Sequence, residues 1–424
     1  MEFIKKEICT GVELLAIPAN RFKTNQVTIS LALPLSADTA SANALALGLV
    51  ARRSNDYPNM IELNRKLASL YGATVYDSVS KVGESQVLSL SATCLDDRFS
   101  LDGESISFEC IKLLTSLLFN PRYDEKGKFF DEDVESEKRI LIEKLNSEEN
   151  EKRVYVLRQT EAKMFLGEPY AVNKYGSVND VEALDSTAVT SALKNMLKKA
   201  KIFVTLVGDA NVDKVYNYLK DEFSAVNREY ETLLSSVFVP EAKEVKNYLE
   251  RIDVKQGKLV MGFRVNVKPD AVLTKAMRSF CDIFGGGPYS KLFANVREKM
   301  SLCYYCSARY TRLKSYIMIQ SGCLEENMDK AVNEIMHQLD VIKSGDFNEE
   351  FDSSKMALVD AVMSIGDTPE ALEAWYINQI TDEKVKSPSD VADEINSVTK
   401  EQIIECANLL SLDTVYKLVG SEEE

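Results

Sequence analysis

The chain repeats itself, and that limits it to two similarly built domains in tandem. The segment SQVLSLSATCLDD ends on Cys94-Leu95-Asp96-Asp97, and KSYIMIQSGCLEE ends on Cys323-Leu324-Glu325-Glu326, 229 positions later. Each is an alternating strand that runs into an acidic turn and then an amphipathic helix, 104–119 in one copy and 327–342 in the other. Upstream, VTISLALPLSAD (27–38) matches LVMGFRVNVKPD (259–270), and Asp38 to Asp270 is 232 positions. Downstream, FVTLVGD matches VYKLVGS, with Gly208 and Gly420 212 positions apart. Thr187 and Thr399 share that last offset, and Thr399 with Gln402 predicts a capping box. No single pair establishes a duplication; several in one order at slowly drifting offsets do.

Each copy reads as strand, strand, helix, helix, strand, strand, helix, a long helical stretch, helix, strand. Meandering strands with grouped helices predict an α+β fold, two tandem homologous domains, each a mainly antiparallel sheet packed against helices. Within the first copy, Pro58 opens a helix that Gly72 closes, with Leu63, Leu67 and Leu70 on its buried face. The expected boundaries are 1–225 for the first copy, a polar linker at 226–250 and 251–424 for the second. An apolar fraction of 45% gives each copy a core of its own.

Charge and hydropathy narrow the partners. A net charge of −15 argues against nucleic acid, which needs clustered Lys and Arg. The opening MEFIKKEICTGVELLAIPANRF has no apolar core of signal-peptide length, and no later run is long enough to span a bilayer, so no membrane is expected. The eight cysteines lie mostly in apolar stretches such as SFECIKLL, which predicts buried thiols in a reducing cytoplasm. Cys303-Tyr-Tyr-Cys306 has redox spacing. It sits in a strand-like run without a following helix or second Cys pair, so it reads as structural thiols rather than a thioredoxin-type centre.

The stretch FGGGPYSKLFANVREKMSLCYYCSARY (284–310) strongly resembles the corresponding segment of the insulinase/pitrilysin family, which includes the mitochondrial processing peptidases. The duplicated α+β pattern agrees over nearly the whole chain. The resemblance implies a LuxS/processing-peptidase-like metalloenzyme fold whose members, in pairs, enclose a clam-shell chamber. Active members carry His-x-x-Glu-His on the first helix of the first copy and a further Glu downstream. The two histidines and that Glu hold zinc, and the motif's own Glu activates the zinc-bound water. Anchored on Pro58, the five positions fall here on Ala44-Leu45-Ala46-Leu47-Gly48. Ala44 and Gly48 thus replace both histidines, and Leu47 replaces the base. The third ligand lies seven residues after another Glu; seven after Glu137 stands Lys144, whose ammonium cannot ligate a cation. A one-residue slip would offer Glu143 instead, and one glutamate cannot rebuild the site. The chain has a single histidine, His337, so it cannot supply a two-histidine site anywhere. The expectation is no metal and no cofactor in this chain, with zinc in a partner subunit.

The same resemblance assigns a role to the second copy, where family members carry an Arg and a Tyr seven apart that face the zinc across the chamber. The match is Arg297 and Tyr304. Both are fixed donors able to bind a substrate carbonyl and to stabilise charge on a tetrahedral intermediate. Spacing alone does not select them, since Arg309 and Tyr316 share it; those two read as neighbours on a hairpin. Gly285, Gly286 and Gly287 form a turn between helices that, in processing-peptidase relatives, faces the chamber and helps hold substrate. The acidic stretch 131–153 reads as a solvated helix face, or more sharply as a contact for basic peptide. His337 reads as an ordinary helical residue, and Trp375 as a core or interface anchor.

The expected function is a non-catalytic subunit of a heterodimeric zinc metallopeptidase. The partner, a zinc-bearing paralogous peptidase subunit, would bring the motif; this chain would bring half of a chamber that binds an extended peptide as an added strand. A structural or peptide-binding protein without peptidase role is the alternative, with a link to elongation factor P modification among some bacterial inactive relatives. An independent hydrolase has no support: no nucleophile elbow or Ser-x-x-Lys setting stands out.

Overall fold

The computed structural model describes residues 3–233, 236–380, 382 and 384–421. The first copy contains β1 (Ile4–Cys9), β2 (Val12–Pro18), β3 (Thr24–Pro34), α1 (Ala37–Arg52), α2 (Met60–Ser69), β4 (Thr74–Val82), β5 (Ser85–Leu95), α3 (Ile106–Phe119), α4 (Asp131–Asn150), α5 (Lys152–Met164), α6 (Val178–Ala183), α7 (Ser186–Lys199), β6 (Lys201–Gly208) and α8 (Val212–Ser224). The second contains β7 (Lys246–Ile252), β8 (Lys258–Val265), α9 (Thr274–Gly285), a π-helix (Leu292–Lys299), β9 (Tyr305–Thr311), β10 (Tyr316–Gly322), α10 (Met328–Lys343), α11 (Asn348–Ser364), α12 (Pro369–Ile377), α13 (Pro388–Asn396), α14 (Lys400–Asn408) and β11 (Leu410–Gly420).

The duplication is a structural one. The sheets run β1-β2-β6-β3-β5-β4 and β7-β11-β8-β10-β9. Setting β2 against β7, β6 against β11, β3 against β8, β5 against β10 and β4 against β9 superimposes the two orders. Only β2/β6 and β7/β11 pair in parallel; the other neighbours are antiparallel. The two domains are α+β, each a mainly antiparallel sheet with helices on it.

Local chemistry explains most boundaries. Asn59 caps α2 through two backbone N–H groups, so Pro58 precedes the cap rather than opening the helix. Gly72, at φ +78°, ends it with a bond from its N–H to the Leu67 carbonyl. Thr399 and Gln402 form the expected capping box on α14. In the first copy Asp185 is the cap and Thr187 lies inside α7.

The compact units differ from the continuous segments 1–225 and 251–424. One unit comprises Met1–Ser147, Val172–Ser235 and Gly366–Glu383; the other comprises Glu148–Ala171, Ser236–Ile365 and Lys384–Glu424. Each sheet therefore carries a helix from the opposite copy. In the first unit α12 lies on β6 and β3, where Leu372 and Tyr376 pack with Ile17, Ala19, Phe22 and Val207. In the second, α5 lies on β8 and β11, and Val156, Met164, Phe165 and Tyr170 pack with Val260, Tyr316, Met318 and Tyr416. Gly262 lets α5 approach: a Cβ there would stand 2.7 Å from the Met164 sulfur.

The 226–250 segment is not a free linker either. The Arg228 guanidinium donates to the Leu197 and Ala200 carbonyls at the end of α7, Glu229 and Glu231 pair with Lys198 and Lys199, and 246–252 pairs with β11. Residues 234 and 235 of that segment lie outside the described ones.

In the first unit, the sheet face bearing Val27, Ile29 and Leu31 joins α1, α3 and α7 in one core. The opposite face is a ladder of hydroxyls: Thr28 donates to Ser91 at 2.9 Å, Ser30 pairs with Ser89 at 2.8 Å, and Thr93 donates to Gln26 at 2.6 Å. Glu373 on α12 is buried against this ladder with its Oε1 unpartnered.

Candidate functional site

In the first unit the aligned positions lie on α1, where Ala44, Leu47 and Gly48 are all buried. Gly48 faces Glu137 of α4 so closely that a Cβ would stand 2.3 Å from its Oε1. The Glu137 carboxylate is occupied by Arg52, one turn beyond Gly48: Nε donates to Oε2 at 2.7 Å and Nη2 to Oε1 at 3.4 Å. Burial pushes the Glu137 carboxyl up, and the Arg52 hydrogen bond opposes it. Beside this pair Arg53 bonds Asp133, and Arg122 reaches the same carboxylate at 3.5 Å. Lys144 is exposed and lies over the Tyr175 ring at 4.4 Å. Of the positions aligned with zinc ligands, two are thus an alanine and a glycine on a buried stretch of α1, and the third is an exposed lysine. Among the described residues no three His, Cys, Asp or Glu side chains come together to hold a metal.

Sequence reasoning read Glu137 only as a marker seven residues before Lys144 and gave Arg52, Arg53 and Asp133 no part. The signal was present in ALGLVARR. An arginine one turn after Gly48 falls on the same helix face, and at the last turn of α1 it also suits the helix dipole.

In the second unit α9 ends at Gly285, and the π-helix carries Arg297. Widened turns of this kind leave backbone bonding irregular and recur at functional sites. The Arg297 side chain is 39% exposed, stacks on Phe293 at 4.4 Å and reaches Glu298 at 3.4 Å. Ser301 then takes the left-handed conformation at φ +51° and reverses the chain. Tyr304 follows, 63% exposed, its N–H bonded to the Gly322 carbonyl at 2.8 Å just before the edge strand β9. The helix-then-strand placement expected of the pair is present, and both side chains reach solvent. Arg309 and Tyr316 lie on the adjacent strands β9 and β10.

The glycine run is shaped by packing. A Cβ on Gly285 would meet the Ala308 backbone nitrogen at 2.6 Å, and one on Gly286 would meet Asp282 Oδ1 at 2.0 Å. Asp282 is held there by the Tyr289 hydroxyl at 2.6 Å. Gly285 is thus buried against β9, and the Asp282 carboxylate, unsuited to an anion cradle, lies beside the exposed Gly286. His337 is exposed on α10, and Trp375 is half-buried on α12 beside the cluster under that helix.

A family model described as "Peptidase M16 inactive domain" matches residues 183–358, which include the π-helix and β9. Over 413 residues the chain is 28% identical to the "Probable inactive metalloprotease YmfF" of Bacillus subtilis (strain 168), covering 97% of this chain and 96% of that one. The chain is thus similar over nearly its whole length to a probable inactive metalloprotease, and its residues 183–358 match the inactive domain of the M16 peptidases. Solved structures share the fold. A conserved protein from Enterococcus faecalis V583 matches with TM-score 0.91 at 26% identity, over 100% of this chain and 99% of that one. A protease from Helicobacter pylori shares the fold at 13% identity, with TM-score 0.82 over 98% and 99% of the two chains. So does a peptidase M16 inactive domain from Pseudomonas fluorescens, at TM-score 0.78 and 13% identity over both full chains. No helix among the described residues is long and apolar enough to cross a membrane.

Proposed function

We propose that this M16 homologue is the non-catalytic subunit of a two-chain zinc peptidase. A zinc-bearing paralogue supplies the metal, its histidines and the base; this chain supplies half of the peptide-binding chamber. Arg297 and Tyr304 act on the partner's active site, binding the substrate carbonyl and stabilising the charge that develops on it. Gly286 and Gly287 complete the substrate contact. The substrate is an extended peptide, which adds as a strand to a sheet edge.

The observation that carries this reading is the contrast between the two copies. Arg52 is tied to Glu137 beside α1, whereas Arg297 and Tyr304 reach solvent, one near the end of the π-helix and the other just before the edge strand β9. A purely structural ion pair and core tyrosine would be buried.

The test is co-expression with a zinc-bearing paralogue from the same genome, followed by a peptidase assay on the purified complex. Arg297→Ala should leave the complex intact and lower kcat/KM by about 10²-fold, the scale of one lost transition-state donor. An intact complex with unchanged activity refutes the assignment of Arg297. A complex that forms and turns over no peptide favours the scaffold role.

A further inference from the structure

The helix α11 carries apolar residues on two faces. One face is buried and bears Phe351 and Val362. The other meets solvent: Met356 is 75% exposed, Met363 is 52% exposed, and Val359 between them is half-buried. With Asp352, these residues follow one another at steps of four, three and four, so they form a single stripe along about 16 Å of helix. The buried face already packs α11 onto the second unit through α9 and α13. A second apolar stripe adds nothing to that packing, and exposed apolar surface of this kind marks an interaction site.

The stripe lines an open groove of about 480 Å³, to which Asn396, the last residue of α13, also contributes. The charges on this groove are not equivalent. Lys355 turns its ammonium to the end of α13, donating to the Asn396 carbonyl at 3.0 Å and the Val398 carbonyl at 3.3 Å. It is held there by the last carbonyls of that helix. Asp352 and Asp360 are both exposed, and among the described residues neither makes an ion pair or a side-chain hydrogen bond. The groove thus joins two thioethers, which adapt their shape to an occupant, to two uncompensated carboxylates.

We propose that this groove is a docking site for a cationic amphipathic helix of a partner protein. Aliphatic side chains at i, i+3 or i+4 and i+7 of the partner pack on Met356, Val359 and Met363. Lys or Arg beside that stripe pairs with Asp352 and Asp360. Charge selects this occupant. A second copy of the chain would bring a net charge of −15 to an anionic groove, and an acidic helix would set like charges against both aspartates. An extended strand would find no backbone partner on α11, whose hydrogen bonds are internal. The partner segment stays helical, unlike the extended substrate assigned to the sheet edge, and its docking does not depend on a zinc-bearing subunit.

The test uses the full-length chain alone. Two fluorescein-labelled helical peptides of about 18 residues share one leucine stripe; lysines flank it in the first and glutamates in the second. Anisotropy titration at low ionic strength should show saturable binding of the lysine peptide, with Kd on the order of 10 μM, and binding of the glutamate peptide at least about tenfold weaker. D352K/D360K should reverse that order. M356S/M363S should weaken the lysine peptide by about tenfold. All four positions are exposed, so the variants should keep the parent's urea midpoint. Failure of the lysine peptide to saturate by about 100 μM overturns the proposal. So does equal binding of the two peptides, or an order that D352K/D360K leaves unchanged. Sedimentation that finds the chain alone dimeric and M356S/M363S monomeric assigns the groove to a second copy and overturns it as well.

Discussion

Replacing Glu373 by glutamine should stabilise the first unit at alkaline pH and do almost nothing at acid pH. Glu373 sits on α12, pressed onto the hydroxyl ladder of β3 with 8% of its surface exposed and Oε1 unpartnered. Burial, opposed by the neighbouring polar groups of Thr28 and Gln26, pushes its carboxyl up from 4.5 to about 7. The sign follows from linkage. The docked helix holds the proton more tightly than the unfolded chain does, so stability is full below the unfolded value and falls as pH rises toward and past the folded one. A shift of about 2.5 pH units corresponds to a penalty of ~3 kcal/mol well above pH 7. Glutamine matches the protonated acid in shape and neutrality and cannot ionise. E373Q should therefore lie within about 1 kcal/mol of the parent at pH 4.5. Its advantage should then grow with a slope of up to about 1.4 kcal/mol per pH unit and level off near 3 kcal/mol by pH 8.5. The assay is urea denaturation at several pH values followed by fluorescence. Trp375 is the only tryptophan in the chain and lies two residues from the mutation, so the signal reports undocking of α12. An advantage of the same size at pH 4.5 and pH 8.5, or a loss at both, would refute the argument that a buried charge opposes docking.

Other outcomes follow from the α1 site and the caps. Arg52→Ala should destabilise the chain by ~2 kcal/mol, a value reduced because the arginine is about one-third exposed, while R52A/E137A should recover most of the loss in a double-mutant cycle. Gly48→Ala forces a methyl group into the Glu137 carboxylate and should cost about 1–3 kcal/mol in chemical denaturation, whereas in E137A the same change should be nearly neutral. Rewriting the five-residue motif as A44H/L47E/G48H should not give stoichiometric zinc by metal analysis, because Arg52 holds Glu137 and the third position is Lys144. Thr399→Ala should lower stability by ~1 kcal/mol through loss of the α14 cap.

The sheets were legible because their signal is local. A period-2 run such as SQVLSLSATC identifies β5, and its match to KSYIMIQSGC identifies β10 as the same element used twice. The exchange of α5 and α12 was not legible. Both helices lie in the expected order along the chain, and nothing in VYVLRQTEAKM says which of two similar sheets it will cover. That choice rests on a complementarity of shape, Gly262 receiving Met164, that involves residues roughly 100 positions apart. The hydroxyl ladder escaped for a related reason. Thr28, Ser30, Ser89 and Ser91 read as the solvent side of half-buried strands, and only α12, arriving from the other copy, makes part of that side an interior.

The α1 contact with α4 is held by buried charge. Gly48 carries no side chain, and Glu137 lies in the space over it, where an uncompensated carboxylate would cost several kcal/mol. Arg52 supplies the compensating positive charge from one turn further along the same helix, and Arg53 and Arg122 do the same for Asp133. The arrangement is therefore self-consistent only as a whole. An imidazole placed at position 48 would displace Glu137, and freeing Glu137 would strand Arg52, so each single step toward a metal site there is expected to be destabilising before any metal can bind.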